Sequence, residues 1–150
     1  VEVVSTVQAG VTRPHHDPVA RALWLVAAHN SMRASGGTVT TPVEEPSVGR
    51  NYYWVGVRLR DGVEVSLLFN AAASLVAAAE PQDRHSATLM FVDVPAGNSF
   101  SEAGLRVATA AELIQPLSDS DLRFLTEDER RDVAYHRPDR LGDLLFNWFD

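Results

Sequence analysis

The stretch Tyr52–Asn70, YYWVGVRLRDGVEVSLLFN, is two apolar-alternating runs around an Asp61-Gly62 pair and reads as a β-hairpin. A two-residue Asp-Gly loop pairs Arg60 with Val63 and sets Val55 and Val57 on the face of Leu68 and Ser66, which mixes the two faces. A three-residue loop, Arg60-Asp61-Gly62 with Gly62 left-handed at a bulge, pairs Leu59 with Val63, Val57 with Val65, Val55 with Leu67 and Tyr53 with Phe69. All of these then share one face, and each large side chain buried there contributes about 1.5–3 kcal/mol. The Arg58–Glu64 pair on the other face is worth only about 0.2–1 kcal/mol. Burial therefore selects the three-residue loop, and the one-sided hairpin requires a core supplied by the rest of the chain.

Working outward, Asp17-Pro18 opens a helix with Asp17 as N-cap and Pro18 at the first helical position, running to about Ser35 before Gly36-Gly37. Its middle, Ala22–Ala28, is apolar nearly all the way round, so the helix is expected to be covered on more than one side. Val1–Val7 reads as a strand, Thr38–Thr41 as a short edge strand and Ala87–Val94 as a strand covered on both faces. Ala71–Ala79, behind Asn70 as a cap, is a helix by propensity. The order to Val94 is then βαββαβ, that of a ferredoxin-like sheet of about four antiparallel strands. Residues 95–150 read as a mostly helical extension packed on that sheet, so that 1–150 form a single α+β domain. Thr109–Glu112 and Thr126–Glu129 match capping boxes, and Asp119–Leu125 suits a short turn of helix. Pro138 starts a last helix with Leu141, Leu144, Leu145, Trp148 and Phe149 in one stripe.

The chain has no cysteine and no lysine, which removes disulfides, thiolate sites, Schiff bases and phosphate-loop lysines. A net charge of −7 disfavours nucleic acid and anionic membranes and favours a partner with a basic surface. No apolar run reaches the length of a membrane span. A cytoplasmic location is the simplest expectation, although the chain opens on Val1 and leaves secretion open.

No cofactor motif is present. The weak metal candidates are His15, His16 and Asp17, of which Asp17 already serves as a cap; solvent-facing loop histidines are the plainer reading. His29 and Asp93 are weak catalytic candidates, the first on an apolar helix and the second near the end of an apolar strand. Tyr135, His136, Arg137 and Arg140 form a mixed cluster that suits an anion, or pairing with the acidic run Glu127–Glu129. The hairpin's outer face sets Tyr52, Trp54, Gly56 and Arg58 against Asn70, Leu68, Ser66 and Glu64. With Gly56 opposite Ser66 leaving a gap, Tyr52, Trp54, Arg58 and Leu68 are the binding candidates, joined by Trp148 of the terminal helix. Packing of the C-terminal helices over Trp54 and Leu68 is the competing reading. Two functions follow: a noncatalytic acidic protein-interaction module, accessory, antitoxin-like or immunity-like, or a small enzyme or small-molecule binder with a pocket between sheet and C-terminal helices.

Overall fold

The hairpin has the register that burial selects. In the computed structural model, which describes residues 7–47, 49–81 and 88–149, β2 (Tyr53–Arg58) and β3 (Glu64–Asn70) pair Tyr53 with Phe69, Val55 with Leu67, Val57 with Val65 and Arg58 with Glu64. Gly62 has φ +89° and donates its N–H to the carbonyl of Leu59, while Leu59 donates to Val63. Asp61 accepts from the N–H of Val63 at 3.0 Å and stiffens the loop. Val63, expected on the buried face, is exposed, although its carbonyl still accepts from Leu59 across the turn.

The preceding helix, α1 (Pro18–Ser35), has the expected ends: Asp17 accepts from the N–H of Ala20, and Gly36 closes the helix at φ +78°. After it come β1 (Thr38–Val39), which pairs with β2, and, beyond the hairpin, β4 (Leu75–Ala79) and β5 (Phe91–Val92). These strands form an antiparallel meander in the order β1-β2-β3-β4-β5. A further strand, β6 (Arg106–Val107), follows the short helix α2 (Asn98–Glu102) and pairs with β4 in parallel. The C-terminal part adds α3 (Ala110–Leu113), α4 (Asp119–Leu122), α5 (Glu127–His136) and α6 (Leu141–Leu145). The expected capping boxes at Thr109 and Thr126 are present, and Ser118–Asp121 makes another.

Several expectations change; among the described residues the strand read over Ala87–Val94 is reduced to Phe91–Val92, with Met90 exposed. Ala71–Ala79 is not a helix: Asn70 ends β3, its side-chain oxygen Oδ1 accepts from the N–H of Ala73 in a turn, and Leu75–Ala79 is a strand buried along its whole length. Helix propensity favours alanine by well under 1 kcal/mol per residue, less than burial between two layers supplies. Small side chains suit that place because layers on both faces close in on β4. The open meander of five to six strands thus replaces the ferredoxin-like order of four, whose second helix this segment would have supplied; its first strand, Val1–Val7, falls almost wholly outside the described residues. The last helix is also shorter than its stripe. It starts at Leu141, not Pro138, and ends at Leu145, with Phe146 at φ −126° turning Asn147, Trp148 and Phe149 out of helical register.

The sheet has a core on each face. Tyr53, Val55, Val57, Val65, Leu67, Phe69, Val76 and Ala78 face Trp24, Ala27, Ala28 and Met32 of α1 and Phe100 of α2. Tyr52, Leu68, Leu75, Ala77 and Ala79 face Val11 of the N-terminal loop and Leu113, Val133, Leu144, Leu145 and Phe146 of the C-terminal layer.

The second layer is also stitched by buried polar groups. Asn51 and Asn70 both donate to the carbonyls of Val11 and Leu145, at 2.7–3.1 Å. Asn147 donates through its backbone N–H to Asn51 and through its side chain to Thr12 and Leu144. Glu129, fully buried, accepts from the N–H groups of Gly10, Thr12 and Thr126 and from the Thr12 hydroxyl. These bonds hold the chain's tail and the loop Gly10–Thr12 against the hairpin's outer face.

Candidate functional site

The outer-face candidates are divided by that layer. Leu68 and Tyr52 are buried and Trp54 is partly buried, packed against the same core, so the C-terminal layer takes up the apolar surface that a ligand would otherwise use. Burial pushes the Tyr52 phenol up to about 12, with Arg50 pulling it down and Glu44 pushing it further up. Arg58 and Glu64 stay exposed and face each other at 3.4 Å. The gap expected at Gly56 is closed: Thr41 accepts from the Gly56 N–H at 2.8 Å, and a Cβ on Gly56 would strike its methyl group.

The weak candidates stand apart. His15, His16 and His29 are exposed, and no three potential ligands gather to hold a metal among the described residues. Asp17 caps α1 and donates its own N–H to the Tyr53 hydroxyl at 3.0 Å. Asp93 is exposed and accepts from the N–H of Ala110 at the start of α3.

What the structure does bring together is an aromatic surface around the chain's last residues. Arg50 bridges to Trp148 through the backbone, and its guanidinium lies 5.6 Å from the Tyr52 ring and 5.9 Å from the Trp148 ring. The same guanidinium sits 3.4 Å from Glu44 and donates to the carbonyl of Glu45 at 2.8 Å. Next along the chain, Phe149 stacks on His136 at 4.6 Å with the planes 1° apart, and His136 meets Tyr135 edge-on at 5.0 Å. Trp148 is 48% exposed and Tyr135 81%. Arg140 is not part of this surface: it grips Asp143, which holds its pKa up, and donates to the carbonyl of Leu89. The acidic run pairs instead with Arg131, through Glu127 and Asp128.

The charge is unevenly placed. Residues 1–94 contain nine acidic side chains and seven arginines, residues 95–150 eleven and six. Of the aromatic surface, Tyr135, His136, Trp148 and Phe149 belong to the more acidic part of the chain, and Arg50 and Tyr52 to the less acidic one. Arg50 was the residue that sequence reasoning missed; it lies just outside the alternating stretch, and no spacing connects it with Trp148.

Comparisons with protein-family models, with curated proteins and with solved structures found no match. Among the described residues no helix is long and apolar enough to cross a membrane.

Proposed function

We propose that this chain is a noncatalytic acidic protein-interaction module, of the accessory, antitoxin-like or immunity-like kind, which takes a basic partner on the aromatic surface around its C-terminus. The observation that carries this reading is Tyr135, almost fully exposed at the end of the Phe149–His136–Tyr135 ladder. An aromatic side chain held on a stacked support loses little conformational entropy on binding, which is what interface anchors require. Trp148, steadied by Arg50, supplies a second anchor. The acid excess of residues 95–150 supplies the steering for a basic surface.

The test is a pull-down from the native host with the wild type and with a Tyr135→Ala/Trp148→Ala variant, each at low and high salt. The wild type is expected to retain a stoichiometric basic protein that salt weakens and the variant loses. Recovery of a co-purifying metabolite, with no protein bound and a thermal stabilisation of several degrees on adding it back, would instead establish the small-molecule pocket between sheet and C-terminal helices.

A further inference from the structure

The helix α1 was expected to be covered on more than one side, and among the described residues only one side is covered. Trp24, Ala27, Ala28, Ser31 and Met32 are buried against the sheet and α2. On the opposite side Val19 is 73% exposed, Leu23 47% and Val26 61%. Their spacing, four then three residues, continues through the exposed Asn30 and Arg33. That is the seam of a coiled coil, with Leu23 and Asn30 at one set of core positions and Val19, Val26 and Arg33 at the other.

We propose that this seam is a self-association surface on which a second copy of the chain docks through its own α1, antiparallel. Charge argues for this occupant. From Pro18 to Ser35 there is no acidic side chain, and the arginines are Arg21, which faces Glu45 at 3.6 Å, and Arg33. A basic partner thus gains nothing from this face. For two copies that each carry −7, it is a face on which α1 brings no acidic side chain against another. The acidic side chains of α3 to α6 lie across the sheet, about 10 Å further away and beyond the screening length of about 8 Å in physiological salt, while on the near side Asp17 caps α1, Glu45 faces Arg21 and Glu102 sits on α2.

Register follows from the same residues. A two-fold axis at the level of Trp24 and Leu25 sets Leu23 opposite Val26 of the second copy and Val19 opposite Asn30, in both directions. The apolar pairs are central and the mixed Val19–Asn30 pairs flank them. A single helix face falls short of the roughly 800 Å² per partner of a stable interface, so the dimer is weak and depends on concentration. This surface is separate from the aromatic one, and either can fail without the other.

Sedimentation equilibrium of the whole chain from ~10 μM to ~1 mM is expected to show the mass climbing from 16.4 kDa toward that of a dimer. Leu23→Glu/Val26→Glu is expected to weaken association at least about tenfold with an unchanged circular dichroism spectrum. Because the chain has no cysteine, a Val19→Cys/Asn30→Cys variant reads the register directly. The two positions are about 16 Å apart along one helix, too far for a disulfide within a copy. Oxidation is therefore expected to give a covalent dimer from this variant and none from Val19→Cys alone. A mass that stays monomeric at every concentration overturns the proposal. So does association that persists in the glutamate variant, or a double-cysteine variant that does not cross-link.

Discussion

On the α1 side of the sheet, Trp24 stacks on Phe69 at 5.5 Å with the planes 13° apart, and Tyr53 lies about 6 Å from both rings. On the other side, three asparagines and a glutamate bind the carbonyls and N–H groups of the chain's two ends. The first layer is mainly a long helix that satisfies its own backbone, so apolar contact does most of the attaching, with two polar ties, from the Asp17 N–H to Tyr53 and from the Ser31 hydroxyl to the carbonyl of Pro95. The second consists of helices of four to ten residues and an irregular tail. Backbone groups in such segments have no partners of their own, and buried side chains must supply them. One face is thus forgiving of shape and the other demands particular atoms.

The largest effect tests the apolar side. Trp24→Ala is expected to cost about 3–5 kcal/mol in urea unfolding, whereas Trp24→Phe retains most of the stack and costs much less. A Phe variant as damaged as the Ala variant would break the contrast. On the polar side a change of similar size should not be tolerated in this way. Glu129→Gln alters one atom, yet turns an amide toward groups that all donate, and a loss of about 2–3 kcal/mol is expected by the same measurement.

The pH dependence of stability isolates the same carboxylate. Burial alone would raise the pKa of Glu129; the hydrogen bonds from the Thr12 hydroxyl and from the N–H groups of Gly10, Thr12 and Thr126 outweigh it and hold the group below its ordinary 4.5. The folded state therefore gains stability from Glu129 above the unfolded value, and loses it as pH falls through the lower folded value. The slope of unfolding free energy against pH in that acid range should be shallower in the Gln variant than in the wild type.

The hairpin turn decides which residues reach which side. Gly62→Val is expected to cost about 1–2 kcal/mol, because a β-branched residue resists the positive φ. Asp61→Asn, which keeps an acceptor for the N–H of Val63, should stay within about 0.5 kcal/mol. If the two changes proved equally harmless by thermal unfolding, the bulged turn would not be what holds the register.

Local signals were legible wherever a short stretch contains both the demand and its answer. Asp17-Pro18 and Gly36 mark the ends of α1 in this way, the capping boxes at Thr109 and Thr126 mark theirs, and Asp61-Gly62 with the alternation around it contains the whole register of β2 and β3. The Ala-rich strand was not legible, since nothing in Leu75–Ala79 reveals that it lies between two layers. At the candidate site, Tyr52 and Trp148 were among the residues picked out, but the arginine between their rings was not.

The sequence by itself determined what depends on neighbours a few residues away: helix ends, turn chirality, hairpin register, and the choice of an apolar inner face. The tertiary structure alone decided how the outer face is shared. It buried Leu68 and Tyr52 under the C-terminal layer, filled the gap at Gly56 with Thr41, and among the described residues left Tyr135 and Val19, Leu23 and Val26 of α1 exposed. The physical reason is that burial and hydrogen-bond satisfaction there depend on segments such as Val11 and Leu145, brought from opposite ends of the chain, and such meetings have no period or motif to announce them.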